Sequence, residues 1–287
     1  MFDEPRTYRH STSQLVILFL VFGVLAVGLV SSWDKATDTS NIVIAALFVV
    51  ILLSSLYTMT VKTIISNDEI STQTILGTRT LNWAEINRVT GWGHSIKLQN
   101  MNGDVTVAPN PQLAGYEEVV EFIGSKRPDL FSPQEYSEMK IGFNFIIPMV
   151  GLALALIGLL VASTTIQMIN ASYTSFIVFA PLLLLIVALF VFFWMSNSLP
   201  QSLTLADRSL TLKYLFSEKV LLVNEINSIN LRHTQTRNGK NYFIAITFTN
   251  KKYIRISGLG PNLPVVFLVL RNWHKKHTAI RQTTQRD

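Results

Sequence analysis

The chain has 287 residues, of which 49% are hydrophobic and only 15% are charged, and its formal net charge is +6. A water-soluble protein of this length carries more charge, so the apolar residues are expected to be concentrated in particular segments. Cysteine is absent, which excludes disulfide bonds, thiolate nucleophiles and cysteine-ligated metal sites.

Four long segments lack Asp, Glu, Lys, Arg and His: Gln14–Val30, Ile42–Met59, Phe143–Thr164 and Ser175–Ser196. Each approaches the roughly 20 residues that cross about 30 Å of hydrocarbon as a helix. They lack the alternation of barrel strands, so four transmembrane helices in two hairpins are expected. The first segment also resembles a secretory signal ending near Ser31, but the second apolar run follows closely and favours a helical hairpin.

The distribution of Lys and Arg predicts the orientation in the membrane. Of the 24 Lys and Arg residues, Lys35 alone falls in a loop between paired apolar segments. This asymmetry predicts a multi-pass plasma membrane protein with both termini and both large polar regions in the cytoplasm.

The sequence repeats itself at an interval of 140 residues. Thr63–Val89 aligns without gaps on Leu203–Ile229, and Glu85-Ile86-Asn87 coincides with Glu225-Ile226-Asn227. We therefore expect a duplicated unit, a helical hairpin followed by a polar domain. The expected domains are an N-terminal tail (1–13), hairpin 1 (14–59), polar domain 1 (60–140), hairpin 2 (141–196), polar domain 2 (197–278) and a basic tail (279–287).

Both polar domains show short alternating segments followed by one helix. In the first domain, strands are predicted at Thr60–Ile65, Glu69–Leu76, Arg79–Asn82, Ile86–Thr90, His94–Gln99 and Val105–Val107. The helix near Tyr116–Ile123 should bury Val119, Val120 and Ile123. In the second domain, strands are predicted at Ser202–Leu205, Ser209–Leu215, Val220–Leu222, Ile226–Arg232, Tyr242–Thr249 and Tyr253–Ile256, before a helix at Leu263–Lys276.

The segments Ser66-Asn67-Asp68-Glu69-Ile70 and Gly77-x-Arg79-x-Leu81-x-Trp83-x-Glu85-Ile86 resemble the bacterial PH-like (pleckstrin-homology-like) domain of membrane proteins. The second copy keeps Lys219, Leu221 and Glu225-Ile226 but has Val223 in place of Trp83. The resemblance implies a membrane α+β fold in which each hairpin precedes a PH-like β-barrel or sandwich with a C-terminal helix. It also implies a binding or scaffold module and carries over no catalytic residues.

The two polar domains differ in charge. Residues 60–140 contain seven Lys or Arg against ten Asp or Glu, whereas residues 197–287 contain fourteen against four. The cations expected to gather at hairpin ends in the second domain, as a candidate site for anionic lipid or an acidic protein, are Arg232, Arg237, Lys240, Lys251, Lys252 and Arg255. A solvated face with a topological charge bias is the alternative interpretation.

Catalytic and metal-binding patterns are weak. His274 and His277 share a helix face, but Lys275 and Lys276 lie between them and would repel a cation. No catalytic motif occurs, so neither an enzyme nor a cofactor is expected. Nucleic acid is not expected as a partner, because no recognition motif accompanies the positive charge.

The sequence thus favours a non-enzymatic module at the inner membrane face that binds proteins or anionic lipid. A homo-oligomer and a membrane-protein partner both remain compatible with it. The helix segment Val265–Leu270 is apolar on all sides, which predicts either deep burial or a contact with membrane, sister domain or another subunit. The alternative functions are a transporter or channel component built on the duplicated hairpins, and a lipid-modifying enzyme without a recognisable motif.

Overall fold

A computed structural model describes residues 4–10, 12–32, 39–141, 197–236, 239–260 and 262–284, together with isolated positions between 151 and 193. The chain divides into two compact units. Unit 1 comprises Met1–Thr90, Ser95–Leu130 and Thr236–Lys240. Unit 2 comprises Gly91–His94, Phe131–Gln235 and Asn241–Asp287.

Unit 1 combines two apolar helices with two antiparallel sheets, ordered β1-β2-β3-β4 and β5-β6-β7. Its described elements are β1 (Arg6–Tyr8), α1 (Thr12–Ser32), α2 (Thr39–Thr60), β2 (Lys62–Ile65), β3 (Glu69–Thr74), β4 (Gly77–Asn82), a 3₁₀ turn (Trp83–Glu85), β5 (Arg88–Thr90), β6 (Lys97–Gln99), β7 (Thr106–Val107) and α3 (Tyr116–Lys126). A 3₁₀ turn at Pro128–Phe131 follows α3.

Cross-strand pairs form the core of unit 1. Ile70 lies opposite Leu81, and Leu98 lies opposite Val107. All four side chains are buried, because alternate residues of a strand point to the same face of its sheet. Helix α3 buries Val119, Val120 and Ile123, the face that its spacing predicts.

Unit 2 also contains a four-stranded and a three-stranded antiparallel sheet, ordered β11-β10-β9-β8 and β12-β13-β14. The described elements that follow unit 1 in the chain are β8 (Glu138–Lys140), β9 (Ser202–Leu205), β10 (Ser209–Lys213), β11 (Glu218–Leu222), a 3₁₀ turn (Val223–Glu225), β12 (Ile226–Thr236), β13 (Gly239–Phe248), β14 (Tyr253–Ile256) and α4 (Leu263–Thr284). The range Thr236–Lys240, which includes the end of β12 and the start of β13, belongs to unit 1.

Equivalent elements recur at the sequence interval of the repeat. Strand β2 begins at Lys62 and β9 at Ser202, while the 3₁₀ turns begin at Trp83 and Val223. Each four-stranded sheet also contains an edge strand that the sequence patterns missed, β1 in one and β8 in the other. Each is only three residues long and precedes an apolar segment, so no alternation marks it.

The predicted fold class, four transmembrane helices in two hairpins each followed by a PH-like barrel or sandwich, is wrong. In the part of the chain that the structure describes, only Ile42–Thr60 is long and apolar enough to cross a membrane. The apolar run Val16–Ser31, which is part of the 21-residue helix α1, is shorter. The strands form four separate antiparallel sheets.

The two later apolar segments, Phe143–Thr164 and Ser175–Ser196, lie almost entirely outside the described residues. Hydropathy identified them from local composition alone, and composition does not show whether a run forms one continuous helix. The predicted second hairpin therefore has no described counterpart.

Helix α4 resolves one alternative left open by its sequence. Every residue from Val265 to Leu270 is buried, with at most 1% of its surface exposed. The helix begins with a cap in which Asn262 Oδ1 accepts the backbone N–H of Val265 at 2.9 Å. Its all-round apolar segment is thus a core element, and no face of it is left for a membrane.

Candidate anion-binding groove

Two of the predicted basic residues, Lys251 and Lys252, lie in the turn between β13 and β14. The backbone N–H of Phe248 donates to the Lys252 carbonyl at 2.8 Å, and the N–H of Lys251 donates to the Phe248 carbonyl at 3.0 Å. Lys251 has a φ of 64°, a left-handed conformation that L side chains rarely adopt. The tight turn holds both lysines at an exposed end of the hairpin.

Lys252 lines an open groove of about 680 Å³ in unit 2 together with Lys219 of β11. The sequence reasoning did not select Lys219 as a site residue. The available signal was its alignment with Arg79 in the first copy, but only the fold shows that β11 and the β13–β14 turn border the same groove.

The groove is amphipathic. The Lys219 ammonium lies 5.6 Å from the centroid of the Phe248 ring, a cation–π contact that orients the lysine. Val220 and Tyr253 also line the groove and are 54% and 56% exposed. Glu225 is the one carboxylate among the described lining residues, and its Oε2 accepts the backbone N–H of Leu222 at 3.2 Å. Two ammonium groups beside exposed apolar surface suit a phosphate attached to an apolar molecule.

The other predicted basic residues do not line this groove. The guanidinium of Arg255 lies 4.3 Å from the centroid of the Phe243 ring, which holds it against the strand. Arg232 is exposed on β12. Lys240 belongs to unit 1, where its Nζ donates to the Leu113 carbonyl at 2.7 Å. Arg237 lies outside the described residues.

A second groove of unit 2, about 930 Å³ in volume, adjoins the first, because Asn224 and Thr249 line both. It is also lined by Arg208, His274 and His277. Burial, together with the cations of Lys276 and Arg208, lowers the pKa of His277, although Asp207 opposes the shift. At neutral pH the uncharged form of His277 therefore predominates.

One histidine of the pair considered as a metal site, His274, contacts the backbone instead. His274 Nε2 lies 3.1 Å from the Ile226 carbonyl oxygen, within hydrogen-bonding distance. The described residues contain no group of three His, Asp or Glu side chains placed to hold a metal ion. The expectations about enzymatic activity and cofactors remain predictions.

Comparison with known proteins assigns no family to this chain. No family model matches the chain, and no curated protein matches it. The resemblance to bacterial PH-like domains thus remains a prediction from the short motifs around Asp68 and Trp83, and the function has to be argued from the chain's own residues.

Proposed function

We propose that this protein is a membrane-anchored, non-enzymatic binding module in which α2 is the anchor and the Lys219–Lys252 groove of unit 2 binds an anionic phospholipid headgroup. The observation that carries the proposal is the exposure of α2. The segment Ile42–Thr60 has a mean hydropathy of 2.6, and none of its apolar window is buried within the protein.

An exposed apolar helix needs an apolar environment. The core helix of a water-soluble protein can be equally hydrophobic, but it is covered by its own fold, whereas Leu47, Val50 and Leu53 of α2 are each more than half exposed. Burial of such side chains is worth about 1.5–3 kcal/mol each, so the helix favours a bilayer over water. Strand β1 precedes α1 and pairs with β2, which follows α2, so both ends of the α1–α2 segment would lie on the same side of the membrane. The predicted cytoplasmic orientation and plasma membrane location are part of this proposal.

The groove supports the choice of ligand. Each cation near an anionic membrane surface contributes about 1 kcal/mol, and two lysines line the groove against a single carboxylate. The exposed side chains of Val220 and Tyr253 supply apolar contact for the glycerol and acyl carbons beside the headgroup. The transporter alternative required two helical hairpins and is not carried further.

The groove can be tested in the full-length protein in zwitterionic detergent. The chain has no cysteine, so a single Asn224→Cys substitution allows a fluorophore to be placed in the groove. Titration with short-chain phosphatidylglycerol should change its emission at lower concentrations than phosphatidylcholine does. The double variant Lys219→Glu/Lys252→Glu should weaken phosphatidylglycerol binding at least about tenfold.

The matched control is Lys213→Glu/Arg232→Glu, which reverses two exposed cations of unit 2 that do not line the groove. It should leave the affinity within about threefold. Equal loss in the two double variants would show a general charge effect, and equal affinity for the two lipids would show that headgroup charge is not recognised. Either result would overturn the proposed groove.

A further inference from the structure

The end of helix α2 lies beside one turn of the first sheet in unit 1. Helix α2 ends at Thr60 and β2 begins at Lys62. Lys62 lies opposite Gln73, and Thr74 lies opposite Gly77 across the next strand pair. The β3–β4 turn, residues 75–76, is therefore at the end of the sheet where the chain leaves α2.

This turn is apolar and exposed. Ile75 and Leu76 are 66% and 85% exposed, which is unusual for two adjacent large apolar residues in a polar β-unit. The position of the turn explains the exposure if α2 spans a bilayer, because the turn then reaches the membrane interface. Tyr57, one helical turn before the end of α2, is 39% exposed and is a residue type enriched at that interface.

A groove of about 510 Å³ lies at this end of unit 1, which we call the helix-end groove. It is lined by Tyr57, Val61, Thr72, Leu76, Arg79 and Lys97, among others. The described residues that line it include two cations and no carboxylate. Arg79 and Lys97 are both exposed, so their charges are available to a ligand.

A buried hydroxyl also points to a ligand in the helix-end groove. Thr72 is only 9% exposed, and its Oγ1 makes no hydrogen bond with any described residue. Thr72 lies directly opposite Arg79 in the β3–β4 pair, which places the hydroxyl and the guanidinium on the same face of the sheet. A buried hydroxyl without a partner is unfavourable, so an oxygen-rich ligand at this position would relieve the cost.

We infer that the helix-end groove binds the phosphate of an anionic phospholipid at the membrane interface. Arg79 and Lys97 supply the positive charge, Thr72 donates its hydroxyl hydrogen to a phosphate oxygen, and Tyr57 and Leu76 contact the glycerol and upper acyl carbons. This site deepens the proposed function and depends on the membrane anchor α2, but it does not depend on the Lys219–Lys252 groove.

The test uses the full-length protein with one fluorophore attached through Ala108→Cys, a near-isosteric substitution in the lining of the helix-end groove. Short-chain phosphatidylglycerol should bind, and Arg79→Ala/Lys97→Ala should weaken it at least about tenfold. The control Lys62→Ala/Arg88→Ala removes two exposed cations of unit 1 outside the groove and should change the affinity by less than about threefold.

Thr72→Val separates ligand binding from a structural role. It keeps the shape of the side chain and removes the unpartnered hydroxyl, so the melting temperature should stay constant or rise. Lipid affinity should nevertheless fall severalfold. A variant that binds lipid like the wild type, or controls that lose as much affinity as Arg79→Ala/Lys97→Ala, would overturn the site.

Inorganic phosphate, titrated in place of lipid, distinguishes a lipid site from a general phosphate site. Much weaker binding of phosphate supports the inference, and equal binding overturns it. Resistance of the wild-type protein to carbonate extraction from membranes tests the anchor separately. Extraction would defeat the proposed function, whereas a membrane-embedded protein whose helix-end variants bind normally would defeat only this inference.

Discussion

The side chain of Arg127 connects a turn to the end of a helix in unit 1. Its guanidinium donates to the carbonyl of Trp83 at 2.7 Å and to that of Ile86, and it also bonds the Asp129 carboxylate at 2.6 and 2.9 Å. The hydrogen bond to Asp129 raises the pKa of Arg127, and the same bond lowers the pKa of Asp129. The planar fork of arginine suits several acceptors at once.

Replacing Arg127 should therefore destabilise the fold more than replacing its acidic partner. Arg127→Met leaves two carbonyls without this donor and should lower the free energy of unfolding by about 1–3 kcal/mol. Asp129→Asn should cost less than about 1 kcal/mol, because the Asp129 side chain is 59% exposed. Denaturant unfolding in detergent measures both. Equal losses would mean that the ion pair, and not the carbonyl contacts, carries the stabilisation.

Acid should weaken the same contact. Because Asp129 has a lowered pKa in the folded protein, its stabilising effect is present above the ordinary value of 3.8 and is lost as the pH falls through the lower folded value. The wild type should thus lose more stability on acidification below about pH 4 than Asp129→Asn does. Unfolding curves collected across this range in the same detergent would show the difference, and parallel curves would contradict it.

At the level of elements, an equivalent backbone carbonyl in each unit accepts a hydrogen bond from a tryptophan, but the two tryptophans come from different elements. In unit 1 the Trp83 indole N–H donates to the Ser66 carbonyl at 3.1 Å. The equivalent carbonyl in unit 2 belongs to Ala206 and accepts from Trp273 of α4 at 2.8 Å. Val223 occupies the position of Trp83 and has no side-chain donor. Its backbone N–H donates to the carbonyl of Arg208, in the turn between β9 and β10, at 3.1 Å. The tryptophan absent from the second motif is thus replaced by one from α4.

The two tryptophans should be of similar importance to their units. Trp83 and Trp273 are 6% and 2% exposed, so replacing either by Phe removes a part-buried hydrogen bond, shrinks a buried side chain and should cost about 1–3 kcal/mol. Trp92 is 69% exposed, and Trp92→Phe should change stability by less than about 0.5 kcal/mol. Thermal unfolding of the three variants provides the measurement. A neutral Trp273→Phe variant would refute the equivalence.

For the whole molecule, the central question is where α2 finds its apolar surroundings. Its 19-residue apolar stretch could cross a bilayer, and its side chains are not covered by the described protein. The helix connects through Val61 directly to β2, so unit 1 would stand at the membrane surface. The helix-end groove and the exposed β3–β4 turn acquire a function only in that setting.

A charge in the middle of α2 should reduce membrane insertion. Val50→Arg places a cation near the centre of the helix, at a cost of about 2.5–3.5 kcal/mol, and should move protein from the carbonate-resistant fraction to the extracted fraction. Met101→Arg introduces the same charge at an 85% exposed turn of unit 1 and should leave the distribution unchanged. If Val50→Arg stayed in the membrane as the wild type does, α2 would not be the anchor.

The sequence by itself determined the repeated order of strands, the buried face of α3 and the apolar character of α2. These features are local, because side-chain alternation along a strand and spacing along a helix are encoded by neighbouring residues. Short strands such as β1 were missed, since three residues contain too little alternation to stand out and their pairing partner is distant in the chain.

Only the tertiary structure decided which cations line the same groove and which tryptophan donates the equivalent hydrogen bond in each unit. Lys219 joins Lys252, Arg79 joins Lys97 and Trp273 reaches Ala206 because packing brings together residues that are distant in sequence. It also placed the Lys240 ammonium against the Leu113 carbonyl, where the sequence had predicted a cation in a cluster for anionic lipid or an acidic protein. Charge and hydropathy are sums over residues, whereas a binding site depends on distances that chain folding alone sets.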